Sequence, residues 1–254
     1  MKISAVIISF NEEKNIAKAL SSVSWADELL VIDSESTDNT RAIAESLGAR
    51  VIIKKWPGFA EQKQFATDSA AHDLILSLDA DERVTAGLRD EIEALLRSEV
   101  LADGYRISRQ SYYMGKAIKH GGWYPDRQLR LFDRRKARWK QVHVHESVEM
   151  GNGTSADNLE GDIVHYTVES PLHHHRMIGE RYAPLAAQKM FDEGRRTSAV
   201  RTSFAVPIKF IQCYFLKAGF LDGFPGFCIA CFAAHHTFLK HLILWELQHR
   251  EGPR

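Results

Sequence analysis

The chain has 254 residues, of which 44% are hydrophobic, enough for a sizeable buried core and too many for a disordered chain. Lysine plus arginine and aspartate plus glutamate both total 33, so the basic excess of a typical nucleic-acid binder is missing. The neutrality is local bookkeeping between segments: residues 1–100 carry 11 basic and 18 acidic side chains, residues 101–150 carry 11 basic and 5 acidic.

Short apolar runs alternate with helical patterns through the first hundred residues. Strands are expected at Ile3 to Ile8, Leu29 to Ile32, Val51 to Ile53 and Leu74 to Leu78, with helices at Glu13 to Val23, Asn39 to Leu47 and Glu61 to Ala71. Such alternation predicts βαβ units and a mostly parallel sheet. Ile16, Leu20 and Val23 form one apolar stripe, so the first helix lies on a sheet. Thr85 to Arg97 repeats the pattern with Leu88, Ile92, Leu95 and Leu96 on one face and Thr85 as N-cap. From Tyr105 to Val148 the texture becomes aromatic, basic and strand-like. Helical patterns resume at Pro171 to Glu193 and at Ser203 to Gln248, the latter broken by Asp222, Gly223, Pro225 and Gly226.

Three cysteines, Cys213, Cys228 and Cys231, cannot all pair within one chain, and Ala5 to Ile8 is too short for a secretory signal, so a reducing cytoplasm is expected. No run reaches the roughly 18 apolar residues of a membrane-spanning helix; the nearest, Gly223 to Thr237, contains His235 and His236.

The richest segment is Leu74-Ile75-Leu76-Ser77-Leu78-Asp79-Ala80-Asp81-Glu82. Residues i and i+2 of an extended chain share a face, so Asp79 and Asp81 can approach one cation, and open α/β sheets bind ligands at the carboxyl ends of their strands. Hard oxygen donors in small number suit Mg²⁺ or Mn²⁺. The plainer reading is that Asp79 begins a turn and Asp81 or Glu82 supports the next helix start. Asp33 ends a second apolar strand, with Asp38 or Asn39 able to cap the helix that follows, and Ser9-Phe10-Asn11-Glu12 ends the first. Three polar strand ends imply one crevice. No Gly-x-Gly-x-x-Gly follows the first strand and no Gly-x-x-x-x-Gly-Lys occurs, so neither a dinucleotide fold nor a Walker nucleotidase is supported. A metal on Asp79 and Asp81, assisted by Lys63, would neutralise a diphosphate leaving group. Taken alone, Lys63 reads as part of a solvated helix face.

These residues resemble the inverting family 2 glycosyltransferases of GT-A fold. The matching pieces are Val6 to Glu13, Val31 to Thr40, Phe59 to Lys63 and Leu76 to Glu82, and less specifically Tyr124 to Phe132, Val142 to Glu146 and Gly219 to Gly226. The wider set is similar to bacterial lipopolysaccharide core glycosyltransferases, including the β-1,4-glucosyltransferases. The resemblance implies a nucleotide-sugar donor, a UDP-sugar, with Ser9, Asn11, Glu12, Asp33, Lys63 and Asp79 on the donor, and Asp79 and Asp81 meeting metal and diphosphate. It implies a glycolipid or oligosaccharide acceptor such as lipopolysaccharide inner core. Inversion by single displacement needs a base for the acceptor hydroxyl, and Glu146 and Asp126 are the candidates. His143 and His145 stand at i and i+2, and His145 is a candidate third metal ligand.

The expected architecture is therefore a GT-A α/β catalytic domain over 1–200, with a nucleotide-sugar half at 1–100 and an acceptor half at 101–170. An apolar helical extension follows at 201–254. Its phenylalanines and leucines, interspersed with Lys209, Lys217 and Lys240, suit either a core or the inner leaflet, and the lipid-linked acceptor that the resemblance implies favours a cytoplasmic protein peripheral on the inner membrane. The basic belt from Arg106 to Lys140, including Arg109 and Arg130 and interleaved with Tyr112, Tyr113, Trp123, Tyr124 and Trp139, suits phosphorylated glycolipid heads, an ordinary solvated surface or single-stranded RNA; the zero net charge disfavours RNA. His173 to His175 diverge on a helix and read as surface; Cys228 to Cys231 reads as small-residue packing rather than a redox pair. Rival readings are a sugar-phosphate nucleotidyltransferase, which needs a glycine-rich loop where Asn11-Glu12-Glu13 stands, a dehalogenase-type phosphatase, whose Asp-x-Asp would follow the first strand, and a membrane adaptor with a vestigial nucleotide site.

Overall fold

The computed structural model describes residues 1–98, 101–140, 147–168 and 170–250. In chain order the elements are β1 (Ile3–Ser9), α1 (Ile16–Ser22), β2 (Glu28–Asp33), α2 (Thr40–Ser46), β3 (Arg50–Ile53), α3 (Phe59–Ser69), β4 (Leu74–Asp79), β5 (Glu82–Val84) and α4 (Ala86–Leu96). Then follow β6 (Gly104–Tyr113), β7 (Lys116–Ala117), β8 (Asp126–Asp133), β9 (Ala137–Trp139), β10 (Val148–Met150) and β11 (Ala156–Val168). The rest is helical: α5 (Pro171–Arg176), α6 (Ala183–Asp192), α7 (Ala199–Ile211) and α8 (Gly223–Arg250). Two compact units emerge: 1–110 with 126–165, and 111–125 with 166–254.

The first unit is built on a mixed sheet of order β3-β2-β1-β4-β8-β6-β11-β5. β1 pairs in parallel with β2 and β4, and β8 pairs antiparallel with β4 and β6. Every residue of β1 is buried, as a central strand covered on both faces requires. Its alternation sends Ile3, Ala5 and Ile7 to a core with Ile16 and Leu20 of α1 and Leu88 and Ile92 of α4. Val6 and Ile8 face the opposite core, with Ala66 of α3 and Trp139. Thr85 caps α4 as expected, its hydroxyl accepting from Leu88 N–H at 3.3 Å. At α2 the capping differs: Asn39 makes no cap bond, and Asp38 Oδ1 accepts from Thr40 N–H at 3.0 Å.

In the second unit, α5 and α6 are joined by a π-turn, Met177–Tyr182, where Pro184 just beyond lacks the N–H that a regular turn would use. The expected break at 222–226 is displaced. It lies at Lys217–Asp222, while Pro225 and Gly226 sit inside the first turn of α8, where proline forfeits no hydrogen bond. Gly226 is needed there, since a Cβ would fall 1.9 Å from the Gly219 carbonyl oxygen. α8 also runs through His235 and His236 without interruption. With the preceding 3₁₀ turn it contains an 18-residue window of mean hydropathy 1.4, long and apolar enough to cross a bilayer by length and composition alone, although Asp222 and Lys240 bound its uncharged stretch and His235 and His236 lie within it. His174 is another correction: it is buried, with its ring 4.2 Å from that of Phe232 and Nδ1 3.3 Å from the Tyr113 hydroxyl. Burial, and then the neighbouring His173, push its pKa down to about 4.

Candidate active site

The site forms within the first unit, where parallel strands end side by side. Ser9 at the end of β1 pairs with Asp33 at the end of β2, and Ile8 pairs with Asp79 at the end of β4. Because β8 runs opposite to β4, its first residue, Asp126, lies at that same edge, opposite Arg109 of β6.

Asp33 is fully buried. Its oxygens accept from Ser36 N–H (2.8 Å), Ser36 Oγ (2.6 Å) and Ser9 Oγ (3.2 Å), which ties the loop after β2 to the end of β1. The loop after β1 is zipped to it: Asn11 N–H donates to Ser36 Oγ at 2.9 Å, Asn11 Oδ1 accepts from Thr37 N–H at 2.8 Å, and Glu12 N–H donates to Thr40 Oγ1 at 2.7 Å. Glu12 Oε2 accepts from Asn15 at 2.8 Å. Asn11 takes a left-handed backbone (φ 54°), a conformation asparagine tolerates better than most side chains. Ser9, Asn11, Glu12 and Asp33 thus belong to one continuous hydrogen-bonded surface.

Lys63 departs from its solvated reading. Its side chain is 2% exposed, Nζ lies 2.8 Å from Asp79 Oδ1, and the ammonium sits 5.0 Å from the centre of the Trp139 ring. Arg130, assigned by sequence to an open basic belt, is equally buried and reaches Glu82 Oε1 at 2.8 Å and Asp79 Oδ2 at 3.5 Å. Glu82, rather than supporting a helix start, is wholly buried in β5: Oε2 accepts from the Asp79 N–H at 2.9 Å and Oε1 meets Arg109 at 3.4 Å. Arg109 in turn holds Asp126, with Nη2 and Nε 2.7 and 2.9 Å from Oδ2. A chain of alternating charge, Lys63–Asp79–Arg130–Glu82–Arg109–Asp126, therefore runs along the strand ends. Burial raises the Asp79 pKa, but the charges of Lys63 and Arg130 and the Lys63 hydrogen bond outweigh it, holding the carboxyl well below the usual carboxylate range.

Asp81 points to a partner the sequence did not suggest: His165 Nε2 of β11 lies 3.2 Å from its Oδ2. The register His165 opposite Glu82 brings it there. Two donors bound cis on an octahedral cation with ~2.1 Å bonds stand about 3 Å apart, a spacing close to that of this pair and equally that of a hydrogen bond. Among the described residues there is no group of three or more His, Cys, Asp or Glu side chains placed to hold a metal, so further donors would come from ligand oxygens and water. Glu146, His145 and His143 lie outside the described residues. Of the groups missed by sequence, Glu82 carried a signal in directly following Asp-x-Asp; Arg109 and Arg130 were hidden among other basic residues, and His165 in a long strand.

The family model described as Glycosyl transferase family 2 matches residues 4–159. The lipopolysaccharide core biosynthesis glycosyltransferase LpsC of Rhizobium meliloti (strain 1021) is 30% identical over 97% of this chain and 93% of its own length. The glycosyltransferase RT0209 of Rickettsia typhi (strain ATCC VR-144 / Wilmington) is 32% identical over 97% of this chain and 87% of its own. Among solved structures, the glucosyl-3-phosphoglycerate synthase of Mycobacterium tuberculosis, in complex with Mn²⁺, UDP-glucose and phosphoglyceric acid, is 28% identical over 44% of this chain and 43% of its own, with a TM-score of 0.34. The family model spans more than half of the residues and a relative matches nearly end to end, so the chain, a GT-A α/β protein, belongs to glycosyltransferase family 2.

Proposed function

We propose that the chain transfers a sugar, with inversion, from a nucleotide-diphosphate donor of the UDP-sugar type to a glycolipid acceptor such as lipopolysaccharide inner core. The observation that carries this reading is the alignment of Ser9, Asp33 and Asp79 at adjoining strand ends, with buried Lys63 and Arg130 compensating Asp79. The near end-to-end likeness to a lipopolysaccharide core enzyme supports the acceptor class.

In this reading Asn11 and Glu12 contact the nucleoside, and Asp33 with Ser9 fixes the loop beneath them. Asp79, kept ionised by its two cations, orients the donor beside the diphosphate. Asp79, Asp81 and His145, joined by His165, would hold Mg²⁺ or Mn²⁺, whose charge would neutralise the negative charge gathering on the departing diphosphate. The acceptor hydroxyl yields its proton to Glu146 or Asp126. Asp126 Oδ2 is taken by Arg109, while among the described residues Oδ1 meets Gln128 at 3.4 Å, a long contact that an acceptor hydroxyl can replace. The protein works in the cytoplasm, peripherally on the inner leaflet, where such an acceptor is presented.

Asp81→Ala tests the reading. Donor turnover stimulated by Mg²⁺ or Mn²⁺ should fall by about 10²–10³ with the fold intact by circular dichroism. Undiminished transfer by this variant would refute the assignment, and a thermal-shift panel of nucleotide sugars identifies the donor.

A further inference from the structure

The second unit carries an apolar surface that the transfer chemistry does not use. α7 buries none of its residues. Val200, Phe204, Ile208 and Ile211 fall within about 80° of one another around its axis, a single face at 3.6 residues per turn, and are 46% to 68% exposed. The turn that follows is apolar and exposed as well: Leu216 is 78%, Leu221 57% and Phe224 66% exposed. Beneath this turn the rings of Phe210, Tyr214 and Phe227 pack at 5.4 to 5.9 Å, so the tip is braced by aromatic contacts rather than loose. Isolated exposed leucines need no explanation; this many large exposed apolar side chains between Val200 and Phe224 do.

The charges around the surface identify what covers it. From Gly194 to Leu221 the chain has five basic residues, Arg195, Arg196, Arg201, Lys209 and Lys217, and no acidic one. Asp222 is buried, its carboxylate accepting from the N–H groups of Lys119 and His120 and from the His120 ring. Glu193, exposed just before this stretch, pairs with Arg195 at 3.7 Å, which leaves Arg196, Arg201, Lys209 and Lys217 as the excess cations of the segment that carries the apolar face, a combination that matches a lipid leaflet with anionic headgroups. The thirteen residues of α7 extend about 20 Å, short of a ~30 Å hydrocarbon core. α8, although long enough to cross, packs within its unit against α6 and α7, turning Ala230, Ala234, Thr237 and His241 inward. Seven of its 28 residues are buried in this packing, and an in-plane position leaves those contacts intact.

We propose that α7 and the turn at 216–224 form an in-plane anchor that inserts its apolar face into one leaflet of a bilayer rich in anionic lipid. This deepens the peripheral-membrane reading above and rests on it, but not on the chemistry at Asp79 and Asp81. The test is co-sedimentation of the full chain with vesicles of phosphatidylcholine, with and without phosphatidylglycerol. Binding should be stronger with phosphatidylglycerol and weakened by salt. Leu216→Asp/Leu221→Asp, both at exposed positions, should lose at least about 100-fold in partitioning, and Arg201→Gln/Lys209→Gln should lose only the preference for anionic vesicles. Donor hydrolysis in solution, measured on the same samples, should be unchanged in both variants. Wild-type protein left in the supernatant with anionic vesicles, or a Leu216→Asp/Leu221→Asp variant that sediments like wild type, overturns the anchor. A lipid-free dimer that the same variant dissociates would assign the face to a second copy instead. Loss of hydrolysis in every sample while vesicle binding persists would count against the transferase reading alone.

Discussion

The contact between Lys63 and Asp79 offers the sharpest quantitative check. Lys63 is 2% exposed and Asp79 23%, with 2.8 Å between Nζ and Oδ1. Removing one partner of a buried ion pair typically costs about 3–5 kcal/mol because the other charge is left uncompensated. Arg130 remains 3.5 Å from Asp79, and solvent reaches part of the carboxylate, so Lys63→Met should cost less, about 2–3 kcal/mol. Asp79→Asn should cost a similar amount, since it leaves Lys63 buried with the Trp139 ring as a weaker partner. If each loss comes from orphaning the other residue, the double variant should fall short of the sum by about 2 kcal/mol. Equilibrium urea denaturation of the four proteins measures this coupling. Additivity to within about 0.5 kcal/mol would refute the buried-pair account. The pH dependence gives a second reading with a definite sign. Asp79 is held below its ordinary value of 3.8, so its contribution is present above that pH and is lost as pH falls through the folded value. The stability gap between wild type and Lys63→Met should therefore narrow below pH 3.8.

Other outcomes follow from single residues. Glu82→Gln keeps the shape but loses the charge that meets Arg130 and Arg109, and should lower stability by about 2–3 kcal/mol in urea denaturation; a loss under 0.5 kcal/mol would show that Glu82 is dispensable. His165→Asn removes the nitrogen beside Asp81 and should raise the Mn²⁺ or Mg²⁺ concentration for half-maximal turnover by about 10–100-fold; an unchanged metal titration argues that the ion sits elsewhere. Chelation should abolish turnover in both proteins. His174 is displaced from 6.5 to about 4 in the folded protein, so the unfolded state binds the proton first on acidification. Stability should be full above pH 6.5 and decline by up to about 3 kcal/mol as pH falls toward 4. His174→Leu should flatten that part of the profile, and an identical slope in the variant would exclude His174 as its source.

Much of the first unit was legible because its strands are uninterrupted apolar runs and its helices carry apolar stripes, so the order of elements to Arg97 follows from period alone except for the short strand β5, whose Glu-Arg-Val carries no apolar run. The positions of Asp33 and Asp79 were legible for the same reason: a polar residue that ends a buried strand must lie at the sheet's edge. Partners were harder to see. Lys63 and Gln62 face inward from a helix without a strong apolar stripe, where Ala60, Ala66 and Thr67 leave room for a long polar side chain to reach the sheet. Arg130 alternates with leucines in a strand whose two faces are both covered, and neither surroundings nor spacing marks it as buried. His165 meets Asp81 only through the antiparallel pairing of β5 with a strand some eighty residues away. His174 looked exposed because three adjacent histidines have no period; the aromatic rings that enclose it come from distant segments.

The expectations that failed share one physical cause. Sequence reading treats charged side chains one by one, and singly each of Lys63, Arg130 and Glu82 belongs in water. Burial becomes tolerable only when the signs alternate closely enough for every charge to meet an opposite one, as they do from Lys63 to Asp126. Such a chain also fixes orientation: Glu82 binds the Asp79 main chain as well as Arg130, so the backbone at Asp79 and its neighbouring cation are set by one carboxylate. Substitutions at these positions therefore disturb stability and donor geometry together. Paired exchanges that keep the alternation, rather than single alanines, separate the two, because they remove a contact without leaving a buried charge alone.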